Sequence, residues 1–224
     1  MDSTPAPRLR PGCRQWLPLA ALSLLAGCNA CEKFVGPEGE IAQYLQAQSV
    51  EPTARISVPG GGELAVSQVR FDHVLVKPEG EGFTAVGQVD AEGVYAGQAK
   101  VSYIGLERVP FVRTDGHWVP KGALLPGLQE VGALLVARHA AEDAHDPAAL
   151  ERLVAAGWTD PTADRGAAIA AMRERLAAAQ KAQPKRWIIR VERERAEVLE
   201  ETEGATRLVL VREGAALKIA AGSL

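Results

Sequence analysis

The chain contains few cysteines and few aromatic residues for its length. Its 224 residues include 3 cysteines, and aromatic side chains make up 5% of the total. Cys13, Cys28 and Cys31 are too few to form the framework of several disulfides that holds many small secreted domains together. The fold must therefore depend on a hydrophobic core, and the length suffices for one domain or two small ones.

A basic stripe is also missing. The 25 basic and 28 acidic residues give a net charge of −3, and the two signs are interleaved along the chain. Because neutralisation of phosphates supplies most of the affinity of proteins for nucleic acids, this balance argues against nucleic-acid binding. An interleaved pattern of charges is typical of an ordinary solvated surface.

Signatures of common catalytic and cofactor sites are absent from the sequence. Gly60-Gly61-Gly62 lacks the following Lys-Ser/Thr and the helix start of a phosphate loop. The sequence contains no nucleophile elbow, no recognisable glycosidase-like pair of carboxylates and no zinc motif. We therefore expect no resident cofactor and no metal, and we expect a protein that is not an enzyme.

The apolar run near the N-terminus is too short to cross a membrane. Trp16–Gly27 contains twelve residues, whereas a spanning helix needs about 20. Arg8, Arg10 and Arg14 precede the run and small residues end it, which is the pattern of a secretory signal. A buried core helix is the alternative, but Pro18 interrupts the run and nothing in it is amphipathic.

The end of this run, Leu25-Ala26-Gly27-Cys28, resembles the lipobox of bacterial lipoproteins. The resemblance implies a thioether between the Cys28 thiol and diacylglycerol, cleavage of the signal peptide 1–27, and acylation of the new amino group, for example by palmitate. Two or more acyl chains hold a protein firmly on a bilayer, since each buried methylene contributes about 0.8 kcal/mol.

The mature protein is thus expected in the cell envelope, bound to the lipid bilayer through Cys28. Asn29 follows the lipid site, and by analogy with enteric sorting a residue other than aspartate favours the outer membrane of a Gram-negative bacterium. Removal of residues 1–27 takes away three arginines and one aspartate, so the net charge changes from −3 to −5.

Cys28 and Cys31 have the spacing of a redox motif or half a zinc site. A redox motif should lie between a strand and a helix, and zinc needs two further ligands nearby. Neither condition is met, so we expect Cys31 to be a free thiol. A disulfide with another chain is the alternative.

The first half of the mature chain predicts a helix followed by an antiparallel meander. Residues 28–37 form a tether, residues 38–48 have the spacing of a helix, and the Pro- and Gly-rich residues 49–62 predict a loop. The subdomain 38–123 then has period-two segments separated by acidic-Gly turns. The predicted strands are 64–77, 83–89, 94–104, 109–113 and 117–119, with turns at 78–82, 90–93 and 114–116.

The second half, residues 124–224, predicts three helices and then strands. Asp146 is a candidate N-cap followed by Pro147 at the first helical position, and Gly157 marks the stop. The predicted helices are 128–144, 147–156 and 164–182, and the predicted strands are 187–199, 206–212 and 216–220.

Residues 126–221 are similar to the NTF2-like (cystatin-related) superfamily in the order of their elements. The segments ARHAAEDAHDPAALERLVAAGW, DRGAAIAAMRERLAAA and LVLVREGAALKIA carry the resemblance. It implies an α+β fold in which three helices pack on a bent antiparallel sheet, although residues 159–163 replace a strand often found there. The hairpins 112–118 and 211–217 also resemble each other, which leaves duplication of an α+β unit open.

The best candidate cluster for chemistry is His139, Asp143, His145 and Asp146. His139 and Asp143 are four residues apart on a predicted helix, and a His-carboxylate pair can act as a general base or bind a metal. Their alanine-rich surroundings favour an exposed helix end instead. Trp158 is predicted as a core anchor, with the wall of a ligand pocket as the alternative. His73 and His117 are predicted to be surface residues, and Trp118 and Trp187 core residues.

Two hypotheses follow from the sequence. The first is a membrane-anchored, non-enzymatic lipoprotein whose globular part binds an envelope protein or has a structural role. The second is a small-molecule binder or weak enzyme that uses an NTF2-like cone with His139, Asp143 and Trp158. Polar side chains converging in a hollow would favour the second hypothesis.

Overall fold

The computed structural model describes residues 36–50, 55–160, 163–178 and 183–222. The predicted signal peptide, the lipobox with Cys28, the other cysteines and most of the tether lie outside these ranges. Within them, no helix combines the length and the apolar character needed to cross a bilayer.

The α+β class predicted from the sequence is confirmed. The described ranges contain four helices and nine strands. Along the chain they occur as one helix, five strands, three helices and four strands, so helices and strands are largely segregated. The elements are α1 (Pro37–Val50), β1 (Arg55–Ser57), β2 (Glu63–Glu79), β3 (Gly82–Tyr95), β4 (Ala99–Thr114), β5 (His117–Pro120), α2 (Pro126–Asp143), α3 (Pro147–Leu153), α4 (Arg165–Ala178), β6 (Arg186–Glu192), β7 (Arg195–Glu201), β8 (Ala205–Glu213) and β9 (Ala216–Gly222).

All nine strands belong to one largely antiparallel sheet. Its order is β1-β2-β3-β4-β6-β7-β8-β9, and β5 pairs with β4. The exception to antiparallel pairing is β4 with β6, which run parallel from Lys100↔Arg186 to Gly105↔Val191. Parallel neighbours need a long crossover, and α2, α3 and α4 provide it. The two meanders therefore continue each other in a single sheet.

One face of this sheet, here called the inner face, is covered by helices. Alternate residues of β4 point into the core, among them Val101, Tyr103 and Phe111, each at most 2% exposed. Tyr44 of α1 packs edge to face on Phe111, with ring centroids 5.7 Å apart. Because α2 begins against Glu107 of the same strand face, α1 and α2 lie on the same side.

The other face, here called the outer face, carries exposed aliphatic side chains among charged ones. Leu75 on β2 is 52% exposed, and Ile104 and Leu106 on β4 are 42% and 50% exposed. In the cross-strand register Leu75 pairs with Val86 on β3. An apolar group of this kind on a sheet face is a candidate contact surface.

Several local predictions agree with the structure. The predicted turn at residues 114–116 is confirmed, since Asp115 and Gly116 have φ of 51° and 86°. Asp146 is the N-cap of α3, and its carboxylate accepts a hydrogen bond from the Ala149 amide at 2.9 Å. α1 and α2 lie within two residues of the predicted ranges. α4 ends its described part at Ala178, short of residue 182.

Three predictions about strands are wrong. The predicted strands 94–104 and 109–113 are not separate, because residues 99–114 form the single strand β4 and residues 94–95 belong to β3. The predicted turn at 90–93 lies inside β3, where Ala91 and Gly93 face the core while the alternating acidic residues Asp90 and Glu92 face outward. The actual turn contains Ala96 and Gly97, with φ of 48° and 70°. The predicted strand 187–199 is a hairpin of β6 and β7 that turns at Arg193, whose φ is 52°. No glycine marks that turn, which is why the sequence did not reveal it. β1 was also missed within the predicted loop 49–62.

Candidate functional site

The most polar part of the interior lies between α2 and the strands β6 and β7. Glu200 of β7 is 1% exposed. Its Oε2 accepts a hydrogen bond from Arg138 Nη1 at 2.6 Å. Its Oε1 accepts one from Trp187 Nε1 at 2.8 Å and lies 2.5 Å from His139 Nε2. One buried carboxylate therefore joins two strands to the helix above them.

Glu142 closes these contacts into a ring. Its Oε1 pairs with Arg138 Nη2 at 2.9 Å, and its Oε2 pairs with His139 Nδ1 at 3.2 Å. The two contacts span four and three residues of α2, the spacings at which helix side chains meet. We call Arg138, His139, Glu142 and Glu200 the ionic ring. Its charges cancel when His139 is protonated.

The pKa shifts of His139 and Glu200 both favour the charged form of the group at neutral pH. Burial lowers the pKa of His139, but hydrogen bonds and charges of Glu142 and Glu200 outweigh it and raise the pKa to about 9. Burial raises the pKa of Glu200, but the His139 hydrogen bond and the Arg138 charge outweigh it and lower the pKa to about 2. A protonated imidazole donates from both nitrogens, so it has no lone pair for a metal or a substrate proton.

The ring is connected to the first meander through Trp187. The indole stacks on Tyr95 of β3, with ring centroids 4.9 Å apart and an interplanar angle of 29°. The Tyr95 hydroxyl accepts a hydrogen bond from the Gly62 amide at 3.0 Å. Stacked aromatic pairs of this kind contribute about 0.5–1.5 kcal/mol beyond the area they bury. The contacts around Glu200 therefore extend across the junction of β4 and β6.

A second buried carboxylate fixes the other end of α2. The N-cap residue Leu125 offers no side-chain hydrogen bond. Glu107 of β4 supplies it instead, accepting from the amides of Gly127 at 2.9 Å and Leu128 at 3.1 Å. Tyr103 donates its hydroxyl to the same carboxylate at 2.6 Å. A carboxylate here also complements the positive end of the helix dipole.

The electrostatics of Glu107 reflect this enclosed position. Burial raises its pKa, while the Tyr103 hydroxyl and the two amides oppose the rise. The three donors satisfy the carboxylate within the fold, as buried polar groups require. Glu107 and Glu200 together attach α2 at both ends to different halves of the sheet.

The candidate site residues named from the sequence do not meet in one hollow. His139 is 20% exposed at its side chain and belongs to the ionic ring, which corrects the expectation of an exposed helix end. Asp143 follows it by four residues and is exposed. Trp158 packs partly on the core and donates its indole N–H to the Ala163 carbonyl at 2.8 Å.

Trp158 also borders an open hollow of about 540 Å³. The charged residues of its lining are Asp160, Asp164 and Arg165, and neither His139 nor Asp143 contributes to it. Trp158 therefore belongs to a place separate from the ionic ring.

The remaining candidates have local roles. His145 adopts a φ of 51° after α2, and its Nδ1 lies 2.8 Å from the Leu176 carbonyl. His73 and His117 are exposed, as predicted. Trp187 is buried, also as predicted, and Trp118 is half-buried against Phe83 with ring centroids 5.0 Å apart.

Sequence reasoning missed Glu107, Arg138 and Glu200, which carry the polar contacts of the interior. A signal existed for Glu200, because the strand period of two places it on the buried face with Ala196 and Val198. Glu107 alternates in the same way with buried residues of β4. Arg138 had no comparable signal, since most arginines on helices are solvated.

Comparison with known proteins gives no match at three levels. No family model fits the sequence, no curated protein matches it, and no solved structure matches it. The function has to be argued from the residues themselves.

Proposed function

We propose that this protein is a lipid-anchored, non-enzymatic interaction module of the bacterial cell envelope. The observation that carries the proposal is the outer face of the sheet, where Leu75, Ile104 and Leu106 are about half exposed. A group of exposed aliphatic side chains on one sheet face supports a contact with another surface.

The anchor rests on the N-terminal sequence. A basic start, a short apolar run and Leu25-Ala26-Gly27-Cys28 form the pattern of a lipoprotein signal. Cys28 and Pro37, the first residue of α1, are nine positions apart in the sequence. Even a fully extended chain of that length reaches only about 30 Å. The globular part would therefore work close to the bilayer, which we propose to be the outer membrane of a Gram-negative bacterium.

The arrangement of the titratable groups supports a non-enzymatic role. His139 is held between two carboxylates as an imidazolium, and Glu107 is occupied by helix amides and Tyr103. Shifted pKa values often mark active sites, but here each shift is accounted for by burial and by contacts that also hold the fold together. A ligand site formed by His139, Asp143 and Trp158 would need these residues to converge, and His139 and Trp158 lie in separate places.

We further propose an NTF2-like architecture for the second half of the chain. Three helices, α2 to α4, precede the antiparallel meander β6 to β9, which is the order that the resemblance requires. This architecture serves enzymes, carriers and structural modules alike, so it does not decide the function.

The anchor is tested by replacing the lipid-bearing cysteine. We expect Cys28→Ser to accumulate as an uncleaved precursor, because a hydroxyl cannot replace the thiolate in thioether formation. Cys31→Ser is the matched control and should be processed and fractionate with membranes like the wild type. The readouts are immunoblots of membrane fractions and the mass of the N-terminal peptide. Normal cleavage and membrane association of Cys28→Ser would refute the anchor.

A further inference from the structure

We propose that the outer face binds a second copy of this chain, face to face, about a two-fold axis that runs along β4. This inference rests on the proposed function, in which the outer face is a protein contact surface. Its basis is a pattern of charges that the strand register places on that face.

The pattern is clearest in the row of residues through Ile104. Cross-strand pairing aligns one residue from each of β2, β3, β4, β6 and β7 at this level. In that order they are Arg70, Asp90, Ile104, Arg190 and Glu197. Asp90 and Arg190, one strand away from Ile104 on either side, are opposite in charge. Arg70 and Glu197, two strands away on either side, are also opposite in charge.

A two-fold axis parallel to β4 converts this pattern into complementarity. When two sheets face each other about such an axis, each position lies against the position equally far on the other side of β4. Asp90 of one copy then faces Arg190 of the other, and Arg70 faces Glu197. Ile104 lies on the axis and meets its own equivalent. The two copies thus form four ion pairs around an apolar centre, since each of the two pairs occurs twice.

The next row repeats the relationship only at the positions two strands away from β4. Asp72 and Gln88 pair across β2 and β3, and Gln88 pairs with Leu106 of β4. Carrying the parallel register on by one residue places Glu192 beside Leu106, and Glu192 pairs with Arg195 of β7. Asp72 therefore faces Arg195 of the second copy, Gln88 faces Glu192, and Leu106 meets Leu106.

Other orientations of the axis do not give this match. An axis along the row through Ile104 would place Asp90 on Asp90 and Arg190 on Arg190. Like charges in contact are unfavourable across an interface, so this arrangement is selected against. The axis along β4 brings like charges together only at Lys100 and Arg108, which meet their own equivalents, and Arg108 is already paired with Glu79 at 2.8 Å. The charge pattern therefore favours the axis along β4 over the axis along the row.

Most of these charges also have a partner within one copy, as Glu197 has in Arg195 at 2.9 Å and in Arg207 at 2.8 Å. Neighbouring strands are about 4.8 Å apart, so Asp90 and Arg190, with β4 between them, are about 10 Å apart in the same copy. Arg190 is exposed and has no ion-pair partner within the described ranges. Arg70 lies 2.9 Å from Asp72 and 3.8 Å from Asp90. These pairs are exposed and available to a facing surface.

The experiment places a photo-crosslinking amino acid at Leu106 in the full chain, in its native membranes. We expect an adduct of twice the chain mass, because position 106 lies near the axis. The same probe at Glu203, in the exposed turn between β7 and β8, is the control and should give no such adduct.

Charge exchange then tests the axis. Asp90→Arg and Arg190→Asp should each lower the yield of the dimeric adduct at least about tenfold, since each places like charges against each other twice. The double variant, which carries both changes, should restore the yield. An intramolecular effect would not give this restoration, because the two positions are too far apart in one copy. Both residues are at the surface, and circular dichroism of the purified variants checks that they fold.

The outcomes separate this inference from the proposed function. An adduct at position 106 with a mass other than twice the chain would overturn the second copy as the partner while leaving the outer face as a contact surface. No adduct at position 106 would overturn both. The proposed axis would be overturned if neither single charge change lowered the yield of the dimeric adduct. It would also be overturned if the double variant did not restore that yield.

Discussion

The carboxylate of Glu200 and the guanidinium of Arg138 are joined at 2.6 Å across 62 positions of sequence. Both groups are buried, Glu200 on the inner face of β7 and Arg138 on α2. Charges are removed from water at a high cost, which a close ion pair with further hydrogen bonds can offset. The pair therefore holds α2 in one position on the sheet.

Removal of one partner from this pair should destabilise the protein strongly. We expect Glu200→Ala to lower the free energy of unfolding by about 3–5 kcal/mol, because it removes the buried acceptor of Arg138 Nη1 and of the Trp187 indole and leaves Glu142 as the remaining partner of Arg138. Glu203→Ala, at an exposed position of the following turn, should change it by less than about 0.5 kcal/mol. Urea unfolding followed by tryptophan fluorescence measures both. A loss below about 1 kcal/mol for Glu200→Ala would show that the pair is not important for stability.

The ionic ring should also make stability depend on pH in the alkaline range. The pKa of His139 is raised from 6.5 to about 9 in the folded chain. A raised pKa stabilises the folded state fully below the unfolded value, and this contribution is lost as the pH rises through the folded value. We expect a loss on the order of 3 kcal/mol between about pH 6.5 and 9, at 1.36 kcal/mol for each pKa unit.

The variant His139→Gln isolates that titration. Glutamine keeps a hydrogen-bonding side chain but does not titrate, so the decline between pH 6.5 and 9 should disappear. The loss on the acid side should become smaller but persist, because His139 and Arg138 both lower the pKa of Glu200 and Arg138 is still present. On the acid side, Glu200 has its pKa lowered to about 2, so its contribution is present above about 4.5 and is lost as the pH falls. Urea titrations at a series of pH values measure both limbs. An unchanged alkaline decline in His139→Gln would assign it to another group.

Local chemistry in the sequence predicted the elements that depend on it. Asp146 with Pro147 begins α3, and Asp115 with Gly116 forms a hairpin turn, because caps and turns are determined by a few adjacent residues. The parallel pairing of β4 with β6 was not predictable in this way. It joins two strands that are separated in the sequence by three helices. No local sequence pattern specifies that β6 pairs with the free edge of β4.

The interior contacts show the same limit. His139 was identified as a candidate, but its partners Glu142 and Glu200 were not, and Glu200 lies 61 positions away. The expected partner, Asp143, was chosen by helix spacing alone. Spacing within one element identifies neighbours on that element, whereas burial of the helix face against β7 decides the actual partner.

Two glycines of α2 should respond oppositely to the same substitution. A Cβ at Gly127 would lie 3.1 Å from both Glu107 Oε1 and the Tyr103 hydroxyl, so Gly127→Ala has to displace the carboxylate that caps the helix. A Cβ at Gly132 meets only Val58, at 3.5 Å, which is an ordinary contact. We expect Gly132→Ala to stabilise by about 0.5–1 kcal/mol through helix propensity.

Gly127→Ala should instead destabilise by about 1 kcal/mol, the usual cost of a lost N-cap. The midpoints of urea unfolding of the two variants give the comparison directly, since both changes add one methyl group to the same helix. Stabilisation of similar size in both variants would show that Glu107 does not need its present position to cap α2.

The turn that the sequence did not reveal gives the last prediction. Arg193 joins β6 to β7 with a φ of 52°, whereas the next residue, Glu194, has no positive φ. This is the sign pattern of a type II′ hairpin turn, whose first central residue is usually glycine. A side chain in the left-handed region costs about 1–2 kcal/mol. Replacement by glycine removes this cost, but the greater freedom of glycine in the unfolded chain offsets part of the benefit.

We therefore expect Arg193→Gly to raise the free energy of unfolding by about 0.5–1 kcal/mol. Glu194→Gly, at the adjacent position, should lower it by a similar amount, because glycine there adds freedom to the unfolded chain without relieving strain. The pair controls for the loss of a charged surface side chain from the same turn. If both glycine variants lost stability equally, the strain assigned to Arg193 would be absent, and the hairpin would depend on its cross-strand pairs alone.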